Sequence, residues 1–221
     1  MALFMKKAVV CALLSITALS GCTHISKPVV TSSKNKTKEA EYVYRPSHFL
    51  VESAKKQIGI VTQYDTGYYK GGYPPEGKGA CTDAVEFALR DNGYALKAKL
   101  DQDMIDHPER YPHESDPNIN FRRVRNVKVY LDNYAMKLPT CTDSECLSSG
   151  NWQPGDIVTF DQIPGSLWHI AIVSNKAIKT ENGVEVPLLV HNYGFGVVED
   201  NMLLSWPAPI TGHYRLSQFS K

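Results

Sequence analysis

Three textures of apolar and polar residues succeed one another along the chain. Ala8 to Leu19 is a continuous apolar run behind Lys6 and Lys7, too short to span a bilayer in comfort. From Thr23 to about Arg45 serine, threonine, lysine and asparagine dominate and apolar content is low, which predicts a flexible tether. From Ser47, a residue suited to capping, Phe49, Leu50, Ala54, Ile58 and Val61 recur at helical spacing. A second helix is expected from Cys81, with Ala84, Val85, Ala88 and Leu89 inward and Asn92-Gly93 as its stop. Ala98 to Ile105 and Val124 to Met136 read as helices too, the latter carrying Val127, Tyr130, Leu131 and Tyr134 on one side. The stretch Gln63 to Pro75, rich in tyrosine, glycine and proline, is a loop or irregular strand able to line a cleft. After Pro139 the pattern becomes strand-like, at Asp156 to Phe160, Trp168 to Val173, Pro187 to Asn192 and Ile210 to Leu216, with a turn at Glu181-Asn182-Gly183. Helices first and an antiparallel sheet second predict an α+β protein, and no internal repeat is visible.

The apolar run changes how the rest is read. Residues 1–21 form a secretion signal that ends in Leu19-Ser20-Gly21-Cys22, which resembles the lipobox of bacterial lipoproteins. There, cleavage before the cysteine is coupled to attaching lipid to its sulfur; the alternative is an ordinary signal cut elsewhere. Thr23, not aspartate, follows Cys22, which by similarity to Gram-negative sorting rules implies the periplasmic face of the outer membrane. The expected organisation is signal 1–21, tether 22–46 and domain 47–221. The formal charge of +1 becomes −1 once Lys6 and Lys7 leave with the signal, and nothing suggests nucleic acid. The remaining 200 residues suffice for one domain with a substantial core, expected to be a monomer.

Of five cysteines, Cys11 leaves with the signal and Cys22 is the lipidation candidate, so Cys81, Cys141 and Cys146 remain. In an oxidising compartment the polar loop between Cys141 and Cys146 can close as a disulfide; zinc is the lesser alternative, since no histidine lies close by in sequence. Cys81 is then a lone thiol at a helix start, where unpaired N–H groups and the helix dipole favour a thiolate. The plainer alternative is a small buried thiol that merely packs. His169 opens one strand and His191 ends the next beside Asn192. Cys81, His169 and His191 can supply nucleophile, base and orienting group in that order. Adjacent strand residues point to opposite faces, so His191 and Asn192 cannot both face His169.

A cysteine at a helix start, then Pro154-Gly155-Asp156-Ile157-Val158, then His169 leading a strand and a polar residue ending the next, resembles the NlpC/p60 branch of the papain-like cysteine peptidases. The tract Tyr68-Tyr69-Lys70-Gly71-Gly72 looks like the lead-in of those enzymes. Over about residues 47–217, Tyr64-Asp65, Cys81-Thr82-Asp83, Arg122-Arg123-Val124, Val190-His191-Asn192 and Ile210-Thr211-Gly212-His213-Tyr214 resemble a YijF-type bacterial family of unknown function. The resemblance implies a papain-like fold in which the Cys81 thiolate attacks an amide or ester carbonyl. The Cys81 N–H and the Tyr64 or Tyr68 hydroxyl would stabilise the oxyanion, where losing one donor costs about 3 kcal/mol of barrier. Arg122 and Arg123 can grip a substrate carboxylate; for at least one of them the plainer role is a solvated surface position or a structural ion pair. Where the peptidases carry serine and glycine after the nucleophile, this chain has Thr82 and Asp83. Asp83 can bind a substrate amine or raise the thiol pKa; as readily, it is a favourable first-turn acid.

The expected function is an outer-membrane-anchored cysteine hydrolase, an amidase or endopeptidase acting on peptidoglycan peptides or another amide or ester, with no cofactor and no metal. Acyl transfer through the same acyl-enzyme is the alternative enzyme. A non-catalytic lipoprotein that binds peptidoglycan or a protein is the alternative from another class.

Overall fold

The computed structural model describes residues 41–45, 48–162 and 168–219. The expected signal, Cys22, Ser47 and most of the tether lie outside the described residues. Glu39–Lys221 forms one compact unit. It begins earlier than expected: strand β1, Tyr42–Tyr44, pairs antiparallel with the stretch Lys176 to Ile178, so the last residues of the expected tether belong to the sheet.

Helix α1 is Phe49–Lys55, capped by His48, whose Nδ1 accepts the Leu50 N–H at 3.2 Å. It is shorter than the periodicity to Val61 predicts, because Lys56 to Ile60 continue as turns with Gly59 at φ 79°. Strands β2, Gln63–Tyr64, and β3, Lys78–Gly79, form a small parallel pair with Tyr64 opposite Gly79. Helix α2, Cys81–Asp91, follows at once and buries Ala84, Val85, Ala88 and Leu89 as its spacing predicts. Helices α3, Leu96–Asp106, and α4, Val124–Tyr134, complete the layer.

The sheet comprises β4, Met136–Lys137; β5, Ile157–Phe160; β6, His169–Lys179; β7, Glu185–Asn192; β8, Val197–Asp200; and β9, Ile210–Arg215. The order is β4-β9-β5-β6-β7-β8, antiparallel at every step. A short fifth helix, α5, Ser144–Ser148, holds Cys146, which is disulfide-bonded to Cys141; Cys81 is free.

Strand alternation sends two sets of side chains to opposite faces. Ile157, Ile170, Ile172, Val190 and Val197 share one core with the buried residues of α1, α2, α3 and α4. Val158, Phe160, Ala171, Val173 and Leu189 pack against Trp152, Leu203 and Trp206. The central strands are therefore apolar on both faces, and a polar side chain buried among them requires a partner.

Candidate active site

Cys81 is the first residue of α2, preceded by Ala80 in extended conformation with no side-chain cap of its own. The cap comes from Asp83, whose Oδ2 accepts the Ala80 N–H at 2.6 Å. The β2–β3 pair sets Tyr64 beside Gly79, two residues before the cysteine, and the Tyr64 hydroxyl hydrogen-bonds the thiol. The Ile170 N–H also points at the sulfur. The β6–β7 ladder begins only at Ile172 opposite Val190, so it does not use that amide. Because ladder N–H groups lie in the sheet plane, the sulfur sits level with β6 at the mouth of the ladder rather than over one face.

Burial dominates the chemistry of this thiol. Removal from water pushes its pKa up to about 11, and the nearby Asp83 carboxylate adds to the rise. Hydrogen bonds from Ile170, Tyr64 and Thr82 oppose it. This corrects the expectation of an easily ionised cysteine: the helix terminus is present, but desolvation outweighs it.

His169 and His191 are both buried and point to the Trp206 side of the sheet. The two rings meet edge to face, with His169 Nε2 2.9 Å from His191 Nδ1. His169 also stacks on Trp206, with centroids 4.0 Å apart and planes 11° from parallel. Burial, then the neighbouring His191, holds His169 well below the ordinary imidazole pKa, so it rests neutral. No hydrogen bond joins the sulfur to either imidazole. The resting arrangement is a neutral thiol at the backbone of the residue after a neutral, anchored imidazole.

The pleat sends His191 and Asn192 to opposite faces of the sheet. Asn192 faces α2, where its Nδ2 donates to the Gly79 carbonyl at 2.8 Å and ties down the segment before the cysteine. His191 faces His169. Behind His191, its Nε2 lies 2.9 Å from Asp200 Oδ1. Asp200 and Trp206 were not legible in the sequence; one ends a four-residue strand without alternation, the other lies in the segment between β8 and β9.

Other candidates serve the scaffold. The Arg122 side chain is only 3% exposed and pairs with Asp83 at 3.0 Å through both Nε and Nη2. It also donates to the carbonyls of Asp65 and Gly67. Its donors and the Asp83 Oδ2 acceptor are thus spent on fixing the tyrosine loop to α2. Tyr68 is exposed, and its hydroxyl binds Asp116 at 2.9 Å and Asn118 at 2.8 Å, away from the thiol. Of the two tyrosines, Tyr64 is the one at the sulfur. Over the site lies a cavity of about 230 Å³ lined by Tyr64, Cys81, His113, Arg123, Arg125 and Trp168, among others. Arg125 lies over the Trp168 ring at 5.7 Å, and neither Arg123 nor Arg125 has an ion-pair partner among the described residues. Also among those residues, no group of three or more histidines, cysteines or acids could hold a metal ion.

An antiparallel α+β domain with a buried thiol beside a two-histidine chain is the class that fold and site define. Residues 51–216 match the family described as "Domain of unknown function (DUF1287)", and the chain belongs to that family. It is similar to a protein of Escherichia coli (strain K12) described as "Uncharacterized protein YijF", with 31% identity over 175 residues, 75% of this chain and 80% of that protein. No solved structure matches the chain.

Proposed function

We propose that this domain is a cysteine hydrolase of the NlpC/p60-like, papain-fold kind, an amidase or endopeptidase. The observation that carries the reading is the joint between thiol and imidazole: the amide of Ile170 holds the Cys81 sulfur, and the residue just before it, His169, is anchored through Nε2 and so has Nδ1 to offer. Burial favours the protonated thiol, so in this reading a base takes its proton as it attacks. His169 Nδ1 removes the thiol proton as sulfur bonds to the carbonyl carbon, a contact that tightens when substrate fills the cavity. The oxyanion is met by the Cys81 N–H, one of the donors a helix start leaves free, and by the Tyr64 hydroxyl. The His169 imidazolium protonates the leaving amine, the C–N bond breaks, and water then cleaves the thioester.

Arg123 and Arg125 at the cavity wall, neither of them in an ion pair among the described residues, favour a substrate bearing a carboxylate near the scissile bond. Cell-wall peptides fit that chemistry, and lipid on Cys22 would hold the enzyme on the periplasmic face of the outer membrane beside them. The test is incubation of the protein and its Cys81→Ser variant with purified peptidoglycan and defined muropeptides, read by mass spectrometry. New fragments from the native protein alone support hydrolysis, and their masses name the bond. Products joined to an added amine mean acyl transfer instead, and unchanged substrate with every donor tried sinks the hydrolase.

A further inference from the structure

The proposed base has a requirement that the two histidines cannot meet by themselves. A neutral imidazole carries one proton on one of two nitrogens, and His169 can act on the thiol only if that proton is on Nε2 and Nδ1 is bare. The 2.9 Å contact between His169 Nε2 and His191 Nδ1 works with the proton on either atom. The pair alone is therefore degenerate: one arrangement makes His169 a base, the other disables it.

Asp200 breaks the degeneracy. An ionised carboxylate only accepts, so at 2.9 Å from Asp200 Oδ1 the His191 Nε2 must carry the proton. When His191 holds only that one proton, its Nδ1 is bare and only accepts. His169 must answer with Nε2–H, and its own Nδ1 is left without a proton. We propose that Asp200 is the positioning residue of this site, selecting through His191 the one tautomer of His169 that can take a proton from Cys81. The assignment rests on the hydrolase reading for its purpose but not for its geometry.

The carboxylate is delivered by a short hairpin. Strand β8 pairs with β7 in the register Asn192 opposite Val197 and Leu189 opposite Asp200, which sets Asp200 on the same face as His191 and diagonal to it. Between them Gly194 and Gly196 take φ values of 75° and 99°, so the connection is tight. The Asp200 side chain is 44% exposed while the His191 side chain is at 1%. The carboxylate keeps its contact with water at the surface while imposing direction on a ring with almost none.

The test uses the full-length chain in detergent micelles, labelled with ¹⁵N, and long-range ¹H–¹⁵N correlation of its seven histidine rings. His169→Gln and His191→Gln supply the assignments. The native protein should show both histidines protonated at Nε2. In Asp200→Ala both should move toward the Nδ1–H form, and Asp200→Glu should restore the native pattern. With a cleavable substrate, Asp200→Ala should lower kcat about 100-fold with little change in KM, the scale of a lost general base. His169 found with Nδ1–H in the native protein, or left unchanged at Nε2–H in Asp200→Ala, overturns the proposal, as does a full kcat in that variant. Expected tautomers without any substrate cleaved would retire the hydrolase and leave the assignment to Asp200 standing. Should Asp200→Ala not fold, the native spectrum and Asp200→Glu still decide.

Discussion

At the level of single residues, charge is governed here by burial more than by neighbours. Cys81 has a helix start, a tyrosine hydroxyl and a backbone amide in its favour, yet its pKa lies near 11. Alkylation by iodoacetamide should therefore be slow at neutral pH and climb steadily toward pH 11, with no plateau in mild acid; a plateau below pH 7 would show that the thiol is already ionised. His169 has the opposite linkage. Its folded pKa is depressed, so below the unfolded value of about 6.5 the unfolded chain takes up a proton that the native state refuses. Its contribution to stability is complete above that value and is lost as pH falls. Thermal melts of His169→Gln should accordingly lose less between pH 7 and pH 5 than those of the native protein. The residue types were legible in the sequence, because a cysteine at a helix start and histidines at strand ends leave a local mark. Their ionisation was not, since desolvation is a property of everything packed around them.

Among the secondary elements, the same divide between local and distant causes recurs. The start of α2 could be read from Gly79-Ala80-Cys81 and the spacing after it, and β5, β6, β7 and β9 from their apolar runs. The early end of α1 and strand β8 could not. The first ends where the chain turns toward β2. The second is a short Val-Val-Glu-Asp segment that becomes a strand by pairing with β7. Arg122 illustrates what such distant contacts decide: the sequence leaves open a grip on substrate or a structural ion pair, and the structure gives a clamp between α2 and the 65–67 loop. Truncation to Arg122→Ala leaves the Asp83 carboxylate buried without its partner. It should cost about 3 kcal/mol in urea denaturation, whereas an arginine reserved for substrate would cost little.

Across the whole molecule, helices cover one face of an antiparallel sheet and a smaller aromatic cluster covers the other, with the sulfur at the notch where β6 and β7 begin to pair. The α+β class and the Cys141–Cys146 disulfide follow from composition and order along the chain. The position of β1 does not, because its three residues belong to the sheet only through pairing with β6, more than a hundred residues later. The disulfide closes a short loop whose cysteines do not line the cavity, so its work is on stability. Replacing both cysteines by serine should lower stability by about 2 kcal/mol in a denaturant titration, with the alkylation profile of Cys81 unchanged.

The stack of His169 on Trp206 also makes the protein its own optical gauge. The chain has three tryptophans, and Trp206 is the one whose ring lies flat against the proposed base. An indole in van der Waals contact with an imidazole loses excited-state electron density when that imidazole gains a charge, so its emission dims with each proton His169 accepts. With Trp152 and Trp168 replaced by phenylalanine, the remaining fluorescence would follow that proton in real time, during an acid titration or within a single turnover, without any added dye.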